Sequence, residues 1–367
     1  MKDHDPTIDI LPQKRRLKVR SGQRLLESLV HHGIFLRSDC GGKGRCGKCR
    51  VDKIEENGSI RSVESCQYEV NEDLTIKIPE SSMASAFIMD KAGIFFPETF
   101  KTQVDPNLST PSYGIAIDLG TTTIAVYLCN ISKGEVLSSI FLKNPQAIYG
   151  DDVMSRIGGI GSDPENLGKL QTLVVKCIEW GVKKLLSSFD DPLVLPSRAV
   201  VVGNPAMIHI FSGVDPTSIG LSPYEPVFYD SRVFQSDQLG FAGTAINVFT
   251  LPNVSGFIGG DLLAAAIGVD MGSQPDGTLL IDLGINGELL LKSGEKFYAT
   301  SCATGPAFEG ATLSCGMQAV PGAVTSIRLS SKMEVSEVSI LNPSNSNRIR
   351  PSGICGPGVI NAVAQLY

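Results

Sequence analysis

Four cysteines near the N-terminus have the residue type and the spacing that an iron–sulfur cluster needs. Cys40, Cys46 and Cys49 follow a C-x5-C-x2-C pattern, and Cys66 comes later in the chain. A 2Fe-2S cluster takes four thiolate ligands. The stretch between Cys40 and Cys49 is rich in glycine, which allows the positive φ angles of a loop that wraps a cluster. The pattern therefore predicts that these four thiolates are iron ligands.

A structural zinc site is the main alternative, because it also takes four cysteines. Zinc ribbons usually have two separate CxxC pairs, whereas this segment has one CxxC, a five-residue gap and a distant fourth cysteine. The spacing favours 2Fe-2S. The segment resembles 2Fe-2S ferredoxins, with the five-residue gap of the adrenodoxin type instead of the plant C-x4-C-x2-C form.

A second chemistry is indicated by a glycine turn between two apolar stretches. Asp118-Leu119-Gly120 is followed by Thr121, Thr122 and Thr123. Backbone N–H groups and hydroxyls at such a turn can donate to a phosphate, and the carboxylate of Asp118 can hold Mg²⁺ through water. A hairpin with no ligand explains the same residues, and the local sequence does not decide between the two.

The same tetrapeptide recurs later as Ile281-Asp282-Leu283-Gly284, again between apolar stretches. Asn286-Gly287 follows, which is a strong hairpin signal, and Glu288 lies near the same turn. The repeat predicts a duplicated α/β fold. If the two turns faced each other, Asp118, Asp282 and Glu288 could enclose a metal–triphosphate; taken alone, the second copy is a plain hairpin.

The elements that position these residues divide the chain into four predicted segments. Residues 7–80 form the ferredoxin-type domain, with a helix over Leu25–Val30 and strands at 49–54 and 74–78. Residues 81–112 are a linker, since PETFKTQVDPNLSTPS has no periodicity. Residues 113–255 and 256–367 are the two halves of the duplicated domain.

Composition excludes several classes of protein. The 367 residues are 42% hydrophobic and 19% charged, as in folded globular proteins. The net charge of −6 argues against a nucleic-acid partner. The N-terminus has no apolar signal segment, and no apolar run is long enough to span a membrane. Nine cysteines with four in one cluster favour metal binding in the cytoplasm over a disulfide framework.

The order of the motifs resembles one family, the reductive activators of corrinoid proteins. These are ferredoxin-fused members of the acetate/sugar kinase–actin superfamily. The matching stretches cover nearly the whole chain: CGGKGRCGKC, IDLGTTTIAVYL, NPQAIYGDDVMSRI, VVGNPAMIHIF, IDLGINGELLL, CATGPAFEGA and GICGPGVINAVAQL. IDLGTTT is typical of the superfamily, whereas the ferredoxin loop together with NPQAIYGDDVMSRI is far more specific.

The resemblance implies a β-grasp ferredoxin domain followed by a duplicated actin-like (ribonuclease H-like) domain. It implies an ATP-dependent activator that passes one electron from a 2Fe-2S cluster to the Co(II) corrinoid of a partner methyltransferase protein, after an upstream donor has reduced the cluster. A homodimer is left open. ATP with Mg²⁺ is the second cofactor, and its expected contacts are the residues of the two turns: Asp118, Gly120, Thr121, Thr122, Thr123, Asp282, Gly284, Asn286, Gly287 and Glu288.

Two departures from the family keep an alternative open. Ile285 stands where the family usually has Thr, and the chain ends at AVAQLY, so the second actin-like half is expected to be incomplete. The alternative is a ferredoxin-type electron carrier whose actin-like part is a docking scaffold that does not hydrolyse ATP. Activation of a radical dehydratase is a third possibility, which the four-cysteine loop disfavours. The sequence identifies no catalytic base.

Overall fold

The computed structural model describes most of the chain, with gaps in several loops. Two of the four predicted iron ligands, Cys40 and Cys46, lie outside the described residues, as does Ile285. The described residues are 5–38, 42, 44, 47–83, 87–89, 112–150, 152–188, 195–241, 246–284, 286–304, 313–317, 322–341 and 350–366. They form two compact units: residues 1–278 with 292–295, and residues 279–291 with 296–367.

The first unit begins with a five-stranded sheet in the order β2-β1-β7-β4-β5, beside a β3-β6 pair and helix α1 over Leu25–His31. The two central strands run parallel and bury alternate side chains, so that Ile8 and Ile76 are fully buried. This is a β-grasp, and its helix and the strands at β4 and β7 are confirmed predictions. The strands are β1 Thr7–Leu11, β2 Arg15–Lys18, β3 Gln23–Arg24, β4 Arg50–Ile54, β5 Ile60–Glu64, β6 Glu69–Val70 and β7 Leu74–Lys77.

The rest of the first unit is built on a seven-stranded mixed sheet in the order β13-β14-β12-β9-β10-β11-β8. Strands β9, β10 and β11 form an antiparallel meander, and β12 pairs parallel with both β9 and β14. This is the predicted actin-like (ribonuclease H-like) arrangement. The strands are β8 Phe87–Met89, β9 Tyr113–Leu119, β10 Thr123–Asn130, β11 Glu135–Lys143, β12 Pro196–Gly203, β13 Val233–Gln235 and β14 Asn247–Thr250.

Among the described residues, four helices accompany this sheet: α2 Val153–Ser162, α3 Glu165–Ser187, α4 Pro205–Phe211 and α5 Gly260–Gly268. The longest, α3, buries Leu170, Leu173, Val174, Cys177, Ile178 and Leu185 along one face at helical spacing. It lies close to β10 and β11, because a Cβ at Gly181 would come within 2.8 Å of the Leu142 side chain. The helix therefore covers the sheet at the antiparallel β10–β11 hairpin.

The ferredoxin part packs directly on the actin-like part within this first unit. The rings of Phe35 and Trp180 lie 5.9 Å apart. The Lys143 Nζ donates to the backbone carbonyl of Ser38 at 3.1 Å, and the Tyr149 hydroxyl donates to Glu27. The predicted linker at 81–112 contains β8, which pairs antiparallel with β11.

The second unit holds two small sheets, β15-β16-β17 and β19-β18-β20, with helix α6 over Gly356–Leu366. The helix packs on β18, where the Asn361 side chain accepts a hydrogen bond from the backbone of Ile327 at 2.7 Å. The strands are β15 Leu279–Leu283, β16 Asn286–Ser293, β17 Lys296–Ala303, β18 Ala323–Leu329, β19 Val335–Ile340 and β20 Gly353–Ile354.

The predicted domain limits of 7–80, 81–112, 113–255 and 256–367 stay predictions. The compact second unit begins at Leu279, after α5 has packed with the first unit. In the part of the chain that the structure describes, none of the helices combines the length and the apolar character needed to cross a bilayer.

Candidate functional site

Cys49 and Cys66 lie side by side at one end of the β4–β5 hairpin. The two strands pair Arg50 with Glu64, so the residue before β4 and the residues after β5 are neighbours. The backbone N–H of Ser65 donates to the carbonyl of Cys49 at 3.2 Å. Both cysteines are buried, with 1% and 2% of their surface exposed. The antiparallel register therefore brings together two predicted iron ligands that are 17 positions apart in the sequence.

The chemistry of this pair suits a metal cluster. The pKa of the Cys49 thiol is raised to about 11, chiefly by burial and in part by the neighbouring Cys66 thiol. Two adjacent buried thiols would not both ionise unless cations balanced their charge, and iron ions do this. The side-chain amide of Gln67 also donates to the Cys66 sulfur at 3.4 Å. Hydrogen bonds of this kind tune the potential of a bound cluster.

The loop between the outer ligands has the backbone that the glycine pattern predicts. Gly42, Gly44 and Gly47 have φ angles of 80°, 69° and 63°. A side chain at Gly44 would also crowd Gln67, whose amide donates to the carbonyl of Gly42 at 2.9 Å. The structure thus fits a cluster held by Cys49 and Cys66 on one side. The assignment of Cys40, Cys46, Cys49 and Cys66 as iron ligands stays a prediction.

The first Asp-Leu-Gly turn joins β9 to β10, two interior strands of the actin-like sheet. Asp118 pairs with Ala125 across the hairpin and is exposed, while Thr121 and Thr122 are half-buried and Thr123 is exposed. Glycine is required at position 120, because a Cβ there would lie 2.6 Å from the carbonyl oxygen of Thr123. The turn therefore presents three hydroxyls and the neighbouring backbone amides beside one carboxylate.

Three polar side chains support this turn through its carbonyls and one hydroxyl. The buried Asn144 donates from Nδ2 to the carbonyl of Gly120 at 2.9 Å. The buried Arg156 donates to the carbonyl of Thr121 at 2.7 Å. Asn204, which caps α4, donates to the Thr121 hydroxyl at 3.2 Å. These hydrogen bonds hold the turn in place from outside the β9–β10 hairpin.

The second turn joins β15 to β16 and combines acidic groups with a supporting threonine. Asp282 and Glu288 are directly opposite each other in the antiparallel pair. Glu288 is buried and accepts a hydrogen bond from the Ser301 hydroxyl at 3.0 Å. The Thr304 hydroxyl donates to the carbonyl of Gly284 at 2.6 Å. Opposed carboxylates repel each other without a cation, and hard divalent cations prefer oxygen ligands of this kind.

Asn286 and Gly287 contribute to the second turn through its backbone geometry. Asn286 begins β16, and Gly287 is buried opposite Leu283. A Cβ at Gly287 would come within 2.8 Å of the Thr304 side chain, so glycine permits the close approach of β17. All ten predicted nucleotide contacts are therefore found at two turns, one in each compact unit. That the two turns face each other across a nucleotide stays a prediction.

Sequence reasoning missed the supporting residues of the first turn. Asn144 and Arg156 lie within NPQAIYGDDVMSRI, a stretch whose specificity was recognised but whose residues carried no predicted role. Asn204 lies after β12, within VVGNPAMIHIF, another stretch that matches the family but whose residues carry no predicted role. The one available signal was the presence of an arginine and two asparagines near apolar strands, where charged and amide side chains need partners.

Comparison with known protein families assigns each part of the chain. Residues 8–75 match the 2Fe-2S iron-sulfur cluster binding domain. Residues 113–274 match the RACo middle region, and residues 276–367 match the C-terminal domain of RACo, the ASKHA domain. The chain belongs to the family of reductive activators of corrinoid proteins. Its 2Fe-2S domain and its actin-like fold agree with the expectations from the resemblance.

Individual members of this activator family are similar over much of the chain. The corrinoid activation enzyme RamQ of Eubacterium limosum is 27% identical over 91% of this chain. The [Co(II) methylated amine-specific corrinoid protein] reductase of Methanosarcina barkeri is 27% identical over 69%. A solved structure titled "Reductive activator for corrinoid,iron-sulfur protein" superposes with a TM-score of 0.62 at 25% identity, covering 99% of this chain and 72% of its own. The chain spans 66% and 50% of the length of the two curated relatives.

Proposed function

We propose that this activator-family protein reduces the Co(II) corrinoid of a partner methyltransferase protein by one electron, restoring Co(I). The observation that carries the proposal is the packing of a ferredoxin-type cysteine pair and a phosphate-type turn in one compact unit. Two curated relatives are named for corrinoid activation and for reduction of a Co(II) corrinoid protein, which supports the same substrate.

Cys40, Cys46, Cys49 and Cys66 would hold the cluster in this proposal. When bound, the 2Fe-2S cluster supplies one electron at a time at a potential near roughly −400 mV. The protein's own part is to bury the ligands, as the near-zero exposure of Cys49 and Cys66 shows, and to direct the Gln67 amide to one sulfur. In this proposal an upstream donor reduces the cluster before each transfer.

Nucleotide binding is the second part of the proposal. Thr121, Thr122 and Thr123 would donate to phosphate oxygens with the turn amides, while Asp118, Asp282 and Glu288 would hold Mg²⁺ directly or through water. The equilibrium constant of a one-electron transfer falls tenfold for about each 59 mV by which the reduction potential of the acceptor lies below that of the donor. Binding or hydrolysis of ATP would offset such a gap.

The cysteine pattern agrees with a cytoplasmic protein. Four of the nine cysteines lie in one cluster with 2Fe-2S spacing, which favours metal binding over a disulfide framework. We therefore propose the cytoplasm as the site of action.

The test is anaerobic reduction of a purified Co(II) corrinoid protein by the chain with its cluster reconstituted, with and without Mg-ATP. The loss of the Co(II) absorption band is followed in the presence of a chemical reductant. We expect Cys66→Ala to abolish the reaction and the exposed-cysteine control Cys315→Ser to keep it. Equal rates with and without Mg-ATP, together with no thermal stabilisation by Mg-ATP, would favour the alternative of an electron carrier with a docking scaffold.

A further inference from the structure

One stretch of the actin-like part touches both the phosphate-type turn and the ferredoxin part. This linking segment comprises residues 144–156, of which Asp151 lies outside the described residues. It begins directly after β11, forms a 3-10 turn over Pro145–Ile148 and ends in the first turn of α2. It therefore lies between the phosphate-type turn and the ferredoxin part.

The first and last residues of the linking segment, Asn144 and Arg156, bond three successive residues of the phosphate-type turn. The backbone N–H of Asn144 donates to the carbonyl of Thr122 at 2.8 Å, in addition to its side-chain bond to Gly120. Arg156 donates to the carbonyl of Thr121, which lies between Gly120 and Thr122. Any movement of the turn carbonyls must therefore move these two side chains or break their hydrogen bonds.

Asn144 and Arg156 also belong to a buried polar network within the linking segment. Asn144, Gln146 and Arg156 are each fully buried. The Gln146 side-chain oxygen accepts from Asn144 at 3.2 Å and from Arg156 at 3.0 Å. Hydrogen bonds are stronger in such a low-dielectric interior, and leaving one unmade is costly. Displacing one member of this network alone would therefore cost buried hydrogen bonds.

The middle of the linking segment contacts the ferredoxin part beside a predicted cluster ligand. The Tyr149 hydroxyl donates to Glu27 in α1. A Cβ built on Gly42 would lie 3.8 Å from the Ile148 side chain and 3.8 Å from the Cβ of Cys66. Ile148 and the ligand Cys66 thus border the same point of the cluster loop.

We propose that the linking segment transmits nucleotide occupancy of the first turn to the surroundings of the 2Fe-2S cluster. Phosphates bound by the turn shift the carbonyls that Asn144 and Arg156 hold. The buried network passes this shift to Ile148 and Tyr149, which changes the packing and hydrogen bonding around the cluster loop. Asn144 and Arg156 are positioning residues for the turn. The inference rests on the proposed nucleotide binding.

The experiment measures two quantities on the same reconstituted, full-length chain. Calorimetry gives the affinity for Mg-ADP and for a non-hydrolysable ATP analogue. The EPR spectrum of the dithionite-reduced cluster and its midpoint potential are recorded with and without each nucleotide. For the unmodified chain we expect nucleotide binding and a nucleotide-dependent change in the spectrum and the potential.

Variants at Arg156 and in the middle of the linking segment test its two roles separately. Arg156→Lys loses the forked hydrogen bonding of the guanidinium, so we expect nucleotide affinity to fall roughly tenfold or more. Its control is Arg198→Lys, at an exposed position of β12. Tyr149→Phe combined with Ile148→Ala should keep nucleotide affinity within about twofold but lose the nucleotide-dependent change at the cluster, since one hydrogen bond and one packing contact are removed. Its control is Tyr113→Phe, at the far end of β9.

The outcomes are distinguishable. If the unmodified chain binds nucleotide but its cluster spectrum and potential do not change, the coupling is wrong while the nucleotide site stands. If the Tyr149 and Ile148 double variant responds to nucleotide like the unmodified chain, the route through the linking segment is wrong. If no nucleotide binds at all, both the coupling and the nucleotide part of the proposed function fail.

Discussion

The two Asp-Leu-Gly turns share four residues of sequence and differ in the groups that surround them. The first is supported by buried amide and guanidinium groups that bond its carbonyls, and it presents hydroxyls. The second sets two carboxylates opposite each other and is supported by one threonine hydroxyl. The first arrangement suits a phosphate and the second suits a divalent cation. We therefore expect the repeated motif to have two chemical roles, set by residues outside the motif.

The largest expected effect tests whether the first turn depends on its buried support. Arg156→Met leaves the carbonyls of Thr121 and Gly150 and the Gln146 side chain without their donor. We expect the free energy of unfolding to fall by about 3 kcal/mol, because buried acceptors lose hydrogen bonds to a charged group. Urea denaturation measures it. Arg198→Met, at an exposed position, should change stability by less than about 0.5 kcal/mol; equal effects would contradict the comparison.

Steric tightness gives the next largest difference between the turns. Gly120→Ala places a Cβ 2.6 Å from the carbonyl oxygen of Thr123, whereas Gly284→Ala places one 3.0 Å from that of Asn286. Overpacking of this kind costs about 1–3 kcal/mol, so we expect the first substitution to be the more destabilising. Thermal unfolding of both variants measures the difference. The exposed helical control Gly158→Ala meets nothing nearby and should stabilise by up to about 1 kcal/mol.

The acidic character of the second turn predicts an effect of opposite sign. Glu288→Gln removes one of two opposed charges, so without Mg²⁺ the free energy of unfolding should rise by up to about 1 kcal/mol. The stabilisation by Mg-ATP should shrink in the same variant. Thermal shifts with and without Mg-ATP measure both effects, with Glu295→Gln in the exposed β16–β17 turn as the control. Destabilisation without metal would show that the carboxylates support the fold by themselves.

The smallest effect concerns pH at the contact between the ferredoxin part and the linking segment. Burial raises the pKa of Glu27, but hydrogen bonds from His31, Tyr149 and Gln23 outweigh it and lower the pKa to about 2. A lowered carboxyl pKa stabilises the fold above its unfolded value of about 4.3, and this contribution is lost as pH falls from there towards 2. We expect about 1 kcal/mol after solvent screening.

Urea denaturation at pH 5 and pH 3 measures this contribution. The Glu27→Gln variant should lose less stability over that interval than the unmodified chain. A loss of the same size in both proteins would assign the acid sensitivity to other groups.

Much of the fold followed from local patterns. Apolar residues at helical spacing located α1, and alternation located β7. Both Asp-Leu-Gly hairpins formed where the glycines and flanking apolar runs predicted them. The packing of the ferredoxin part against the linking segment had no such signal. Tyr149 and Glu27 are 122 positions apart, and each is an ordinary polar residue in its own neighbourhood.

The sequence by itself determined the cysteine spacing that predicts four cluster ligands, and the two glycine turns for which phosphate and cation contacts are predicted. Cysteine spacing, glycine and hydroxyl residues act through short-range geometry, which the chain encodes locally. Only the tertiary structure decided that Cys49 meets Cys66, that Asn144 and Arg156 hold the first turn, and that Ile148 borders the cluster loop. Those contacts join residues from separate elements, and strand register and helix packing fix them only when the chain has folded.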